Sequence, residues 1–247
     1  MFPKFERIGE KTINKIAEVA LANHFQRAEK LTVKVKTDPN NLAKGVLESL
    51  AIDGKGLVMG QNLQVEEMKI KLNTIAVSPV KALMGNIVLT QPSHGTARIV
   101  FNEDDLESAF KTKTFQQKIA QHKIYIDGQP VKVNIGRVNV RILADGRIAV
   151  KIKLAVQKTE EIHRVCLIIT PSICDRGKGV LLDAVRCTQG KELSPAIINT
   201  LIEETKKTLN LTNFQREGLS FKINRLNIEE GKINLDAAAG ISKFPQG

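Results

Sequence analysis

The sequence predicts an α+β fold in which a strongly curved, mostly antiparallel sheet wraps around long amphipathic helices. Three observations predict it. Through most of the chain, short apolar runs alternate with polar residues at period two. Glycines and phase shifts interrupt those runs where a bulge would bend a sheet. Three stretches, Phe5–Lys30, Asn102–Gln121 and Ser194–Asn210, instead repeat apolar residues every three to four positions.

Phe5–Lys30 reads as an N-terminal helix, with Phe5, Ile8, Ile13, Ile16 and Val19 or Ala20 on one stripe between Lys and Glu. Leu31, Val33 and Val35 alternate with Thr32, Lys34 and Lys36, the pattern of a half-exposed strand. Asp38-Pro39 then starts a short helix, Asp as N-cap and Pro at the first helical position. Leu50 and Ile52 resume a strand that Gly54 and Gly56 interrupt. Leu63 and Val65, then Met68, Ile70 and Leu72, shift phase across Glu66-Glu67. The first break reads as a bulge or a sharp bend, and the second as a bulge. Ser78-Pro79 starts a second elbow, and Ile87–Leu89 and Ala97–Phe101 are further strands. Asn102-Glu103-Asp104-Asp105 is a helix start: Asn caps, and three acids sit where the helix dipole is positive. Lys111-Thr112-Lys113-Thr114 is a poor helix centre.

Ile124–Val156 is the clearest β-region. Val131, Val133 and Ile135 change phase after Gly136-Arg137 to Val138, Val140 and Ile142. Asp145-Gly146 reads as a hairpin turn with positive φ at both central positions. Ile148, Val150, Ile152, Leu154 and Val156 return on one face. Ile162–Thr170 and Gly179–Cys187 add strands. A helix from Ser194-Pro195 carries Ile197, Ile198, Leu201, Ile202 and Leu209 on one side. Leu219–Leu235 closes as a hairpin around Glu230-Gly231.

Composition narrows the function classes. The 247 residues include no Trp, one Tyr (Tyr125) and nine Phe, while 42% are hydrophobic. The interior is therefore mostly Ile, Val and Leu, which suits strands and equally suits acyl chains. The net charge of +11 is spread along the chain, with no block of five or six basic residues. That excludes a nucleic-acid arm of the usual kind and favours polyanionic surfaces, anionic lipid headgroups among them. Cys166, Cys174 and Cys187 match no zinc spacing. Met1–Lys30 lacks the apolar stretch of an export signal, and no run reaches the about 20 apolar residues of a membrane span. These features predict a cytoplasmic chain that meets a membrane only peripherally.

No catalytic constellation is present. There is no G-x-S-x-G, so no nucleophile elbow. Gly54-Lys55-Gly56 and Gly177-Lys178-Gly179 lack P-loop spacing. His24, His94, His122 and His163 form no H-x-x-x-H pair, and no metal or other cofactor is expected.

One feature of the chain is carried by its motif order. The alternating strand, the Asp38–Leu42 elbow, "SLAIDGKGLVM", "LQVEEMKIKL", "IAVSPVKALMGNIVLTQP" and "ARIVFNEDDLESAF" follow one another within Leu31–Phe110. This order resembles the LmeA-type phospholipid-binding family of bacteria, in its cyanobacterial form. The resemblance implies a tubular lipid-binding-like fold with an apolar cavity, phospholipid as ligand, and no catalytic residues to carry over. It is most specific over 31–110, within one lipid-binding-like domain over 1–247.

The expected function is non-enzymatic binding or carriage of phospholipid or another acyl lipid at a membrane surface. Face arithmetic places Leu106, Phe110, Ile148, Val150, Ile152, Leu154, Ile197, Ile198, Leu201 and Ile202 along an acyl groove, with Lys55 and Lys178 near the headgroup. No nucleic-acid partner is expected, and the oligomeric state is not readable. The alternative is a structural or scaffold protein with the same fold, a collapsed core and no lipid cavity.

Overall fold

The computed structural model describes residues 10–22, 25–59, 63–83, 88–121, 124–126, 129–156, 162–177, 179–182, 185–190, 195–208 and 218–243. In chain order the elements are α1 (Glu10–Ala22), β1 (Lys30–Lys36), α2 (Pro39–Ala43), β2 (Val46–Met59), β3 (Leu63–Ala76), α3 (Pro79–Leu83), β4 (Ser93–Asn102), α4 (Glu103–Phe110) and α5 (Lys113–Gln121). They continue with β5 (Ile124–Ile126), β6 (Gln129–Val131), β7 (Val133–Ile142), β8 (Ile148–Val156), β9 (Ile162–Ile169), β10 (Pro171–Ile173), β11 (Val180–Leu182), β12 (Arg186–Gln189), α6 (Pro195–Thr208), β13 (Leu219–Glu229) and β14 (Lys232–Ile241).

The fold is α+β and its pairings are antiparallel. One sheet has six strands, in the order β1-β2-β3-β4-β14-β13. A second has four, in the order β12-β9-β8-β7, and β5-β6 and β10-β11 are small hairpins. Neither large sheet closes into a barrel among the described residues. The single long sheet expected from the strand pattern is thus divided in two.

Helix lengths correct the expectation of long helices. The amphipathic helices α1, α4, α5 and α6 have 13, 8, 9 and 14 residues. The stripe over Phe5–Lys30 includes residues outside those described, and its described helix ends at Ala22. Beyond it, Gln26 N–H donates to Val58 O and Val58 N–H donates to Arg27 O. Pairing with β2 takes the backbone groups that a continuing helix would need. Asn102–Gln121 likewise divides into α4 and α5 at Lys111-Thr112. The Thr112 hydroxyl accepts the Phe115 N–H at 3.3 Å and restarts the helix.

The caps follow the sequence. Asp38 accepts the N–H groups of Asn40 and Asn41 at 2.8 and 2.9 Å. Asn102 and Asp105 form a reciprocal capping box, each accepting the other's backbone N–H at 2.8 Å. The phase change at Gly136-Arg137 is a register shift between Ile135 and Val138 against β8.

The breaks at Gly54-Gly56 and Glu66-Glu67 are not bulges. Buried residues run Leu50, Ile52, Gly54, then Leu57 on β2, and Val65, then Met68 on β3. Gly54 nevertheless pairs with Met68 and Leu57 with Val65, without a register shift. A bulge adds a residue to one strand only. Here both strands reset together, aided by Gly56 at φ 55°. The Asp145-Gly146 turn also differs, since only Gly146 has positive φ (81°). Leu143 N–H donates to Arg147 O across a three-residue loop, in which one glycine in the left-handed region suffices. The stretch from Gly179 to Cys187 divides into β11 and β12, which pair with different strands. Of the expected strand Ile87–Leu89, Ile87 lies outside the described residues and Leu89 makes an isolated bridge to Val77.

One apolar cluster runs through both large sheets and helices α4, α5 and α6. Helix α4 contacts β3 and β4 of one sheet and β7 of the other. Phe110 and Phe115 join α4 to α5 edge to face, with ring centroids 5.0 Å apart. The turn of the last hairpin completes the link: Gly231 N–H donates to Ile142 O at 3.0 Å.

Candidate functional site

The candidate site is the aliphatic interior. The capping box fixes the start of α4, and from there Leu106 and Phe110, one turn apart, face inward. Strand β8 contributes Ile148, Val150, Ile152 and Leu154 at period two, while Lys151 and Lys153 between them are exposed. Helix α6 adds Ile197 and Leu201. All eight of these apolar side chains are 4% exposed or less. Ile198 and Ile202 are half-buried and pack against the cluster. The structure therefore brings the ten expected apolar residues into one cluster, with Ile198 and Ile202 at its margin.

Of the two expected lysines, Lys55 stands apart from that group. Lys55 is exposed and ion-paired to Glu67 at 3.0 Å, directly across the strand pair. The shared hydrogen bond raises the Lys55 pKa and lowers that of Glu67. Lys69 also reaches Glu67, at 3.4 Å, and Lys232 reaches Glu66 at 3.0 Å. Lys178 lies outside the described residues.

Sequence reasoning missed three features. Thr205, one turn beyond Leu201 on the same face of α6, is fully buried. Its Oγ1 has no hydrogen-bond partner among the described residues. An unmet buried hydroxyl costs about 1–3 kcal/mol, so Thr205 is a polar donor waiting at the apolar interior. A threonine in line with an apolar helix stripe was its only signal. Glu103 and Glu107 are the second feature. Their carboxylates accept the N–H groups of Ile142 and Val140 on the edge of β7. The third is a row of lysines across the outer face of the six-stranded sheet, which only strand register reveals.

The arrangement offers burial and little else. Cys166, Cys174 and Cys187 are free thiols. Among the described residues no group of three or more His, Cys, Asp or Glu could hold a metal ion, and no helix is long and apolar enough to cross a membrane.

A family model described as LmeA-like phospholipid-binding matches residues 5–238. Comparison with the curated proteins gives no match, and comparison with the solved structures gives none.

Proposed function

The chain belongs to the LmeA-like phospholipid-binding family, and from that premise we propose that it binds a phospholipid by its acyl chains, without catalysis, and carries it at an anionic membrane surface. The family match over nearly the whole chain carries this reading. The composition of the interior supports it. Transfer of a chain of about 16 carbons into an aliphatic site supplies about 0.8 kcal/mol per CH₂ before entropy losses. No elaborate polar recognition is then required.

Leu106, Phe110, the β8 row and the inner face of α6 line the acyl site in this reading, with Ile198 and Ile202 at its entrance. Thr205 donates its hydroxyl to an ester oxygen of the lipid. Lys55 and Lys178 serve the headgroup. The contiguity of the apolar cluster supports treating residues 1–247 as one lipid-binding unit.

The test is saturable uptake of a fluorescent acyl probe by delipidated protein, displaced by phospholipid. Ile198→Trp, at the margin of the cluster, should lower uptake severalfold while leaving the far-UV circular dichroism unchanged. Absence of saturable uptake in folded, delipidated protein would contradict the reading.

One observation is equally compatible with a second reading, a scaffold with a filled core. Eight of the ten expected lining residues are already shielded from solvent in the ligand-free chain. A closed cavity and a filled core share that burial, and the uptake experiment separates them.

A further inference from the structure

We propose that the outer face of the six-stranded sheet docks on an anionic lipid bilayer through a row formed by Lys34, Lys71 and Lys222. This deepens the carriage reading above and rests on it for the identity of the surface.

The register builds the row. Lys34 pairs with Ala51, Ala51 with Lys71, Lys71 with Thr96, Thr96 with Ala238, and Ala238 with Lys222. All six strands thus contribute one residue at one level. Small side chains separate the lysines along the row, and at its end the stem of Lys222 lies beside Gly177. Lys34, Lys71, Thr96, Ala238 and Lys222 are all exposed. Among the described residues, none of the three lysines makes an ion pair. At about 4.8 Å per strand, Lys34 and Lys71 are about 10 Å apart, and Lys71 and Lys222 about 14 Å.

The adjacent rows keep the face positive. On one side run Lys36, Ser49, Asn73, His94, Gly240 and Ser220, with no carboxylate. Lys36 there is 3.6 Å from Glu48, its one acidic neighbour. On the other side run Thr32, Asp53, Lys69, Arg98, Asp236 and Arg225, in which two acids stand among three bases. The unpaired charge is therefore concentrated in the lysine row.

Charge complementarity selects the occupant. A bilayer rich in anionic phospholipid presents a broad plane of negative charge, and basic side chains near it each strengthen binding about fivefold. Apart from the ring of His94, the three rows carry no aromatic side chain on which nucleic-acid bases would stack. The reverse side of the same strands bears Val33, Ile52, Ile70, Ala97, Ala237 and Ile223, which belong to or pack on the apolar cluster. One sheet thus has a docking face on one side and the wall of the apolar interior on the other.

The experiment is co-sedimentation of the full chain with vesicles of phosphatidylglycerol and phosphatidylcholine, or of phosphatidylcholine alone. Wild type should pellet only with the anionic vesicles. Lys34→Gln/Lys71→Gln/Lys222→Gln should lose about 100-fold in vesicle affinity, with an unchanged melting profile and unchanged co-purifying phospholipid. Lys132→Gln/Lys151→Gln/Lys153→Gln, away from this sheet, should bind as wild type does. Equal binding by wild type and the first variant overturns the docking face while the lipid-carriage reading stands. So does equal loss in both variants, which would make the effect one of net charge. Wild type that ignores anionic vesicles yet binds RNA in a salt-dependent way also overturns it. Loss confined to the first variant, in a protein that carries no lipid, would uphold the face and contradict the carriage reading.

Discussion

Glu107 Oε1 accepts the backbone N–H of Val140 at 3.0 Å. The same oxygen accepts Asn139 Nδ2 at 2.6 Å. One helical turn earlier, Glu103 Oε1 accepts the N–H of Ile142 at 2.9 Å, and its Oε2 pairs with Arg141 at 2.5 Å. An i,i+4 step on a helix is close in length to two residues of a strand. Helix α4 therefore stands where another strand would pair, satisfies the open edge of β7 and discourages edge-to-edge association.

Removing these acceptors should expose that edge. Glu107→Ala should cost about 1.5–3 kcal/mol, the range for hydrogen bonds to charged groups, and Glu103→Ala a similar amount. Glu107→Gln, which keeps an oxygen at the same place, should cost less. Urea unfolding measures the cost, and light scattering the self-association expected of the double alanine variant. Equal stability of the Gln and Ala variants would remove the edge role.

Asp105 is buried, and that burial raises its pKa above the ordinary value of an aspartate. The N–H groups of Asn102 and Glu66 offset part of the rise. Between the ordinary value and the raised one, the folded chain holds a proton that the unfolded chain has released. Stability therefore falls as pH rises through that window and levels off above it. Asp105→Asn keeps an acceptor without a charge to bury, so its profile should lack this fall and keep only the slope set by the other carboxylates, Glu67 among them. Chemical denaturation across acidic to neutral pH tests this, and an unchanged slope in the variant would refute it.

Gly95 lies opposite Leu72 where β4 pairs with β3. A Cβ built there would sit 1.8 Å from Lys71 O and 2.8 Å from Leu72 Cα. Both are backbone atoms and do not swing aside. Gly95→Ala should therefore lose about 3 kcal/mol or more, or fail to fold. Gly146→Ala meets no atom within 4 Å and has only its φ of 81° to strain, so it should cost about 1–2 kcal/mol. Comparing their denaturation midpoints separates close approach from backbone strain.

Thr205→Val removes the unmet hydroxyl and preserves the shape. The ligand-free chain should gain about 1 kcal/mol in thermal or chemical unfolding. If the hydroxyl meets a lipid oxygen, phospholipid affinity should fall at the same time. A variant that is more stable and binds lipid as well as wild type would leave Thr205 outside the site.

The strands, caps and most turns were legible because each rests on a local rule. Alternation marked Ile148–Leu154, and Asn102 with Asp105 marked the start of α4. Helix length was not legible. The stripe over Phe5–Lys30 continues past the point where pairing of Gln26 and Arg27 with Val58 takes over, and that competitor is remote in sequence. The paired resets of β2 and β3 looked like bulges, since one strand's phase says nothing of its partner's. Face arithmetic could group the apolar residues that the structure packs into one cluster. The lysine row could not, because Lys34, Lys71 and Lys222 become neighbours only through the register of six strands.

Native mass spectrometry of the purified full chain, followed by lipid extraction from the same sample, tests the central claim most directly. Phospholipid binding predicts a protein peak carrying the mass of a phospholipid, lost on delipidation and restored by added lipid. A chain that remains lipid-free after incubation with phospholipid, while its unfolding transition shows it to be folded, would contradict the account.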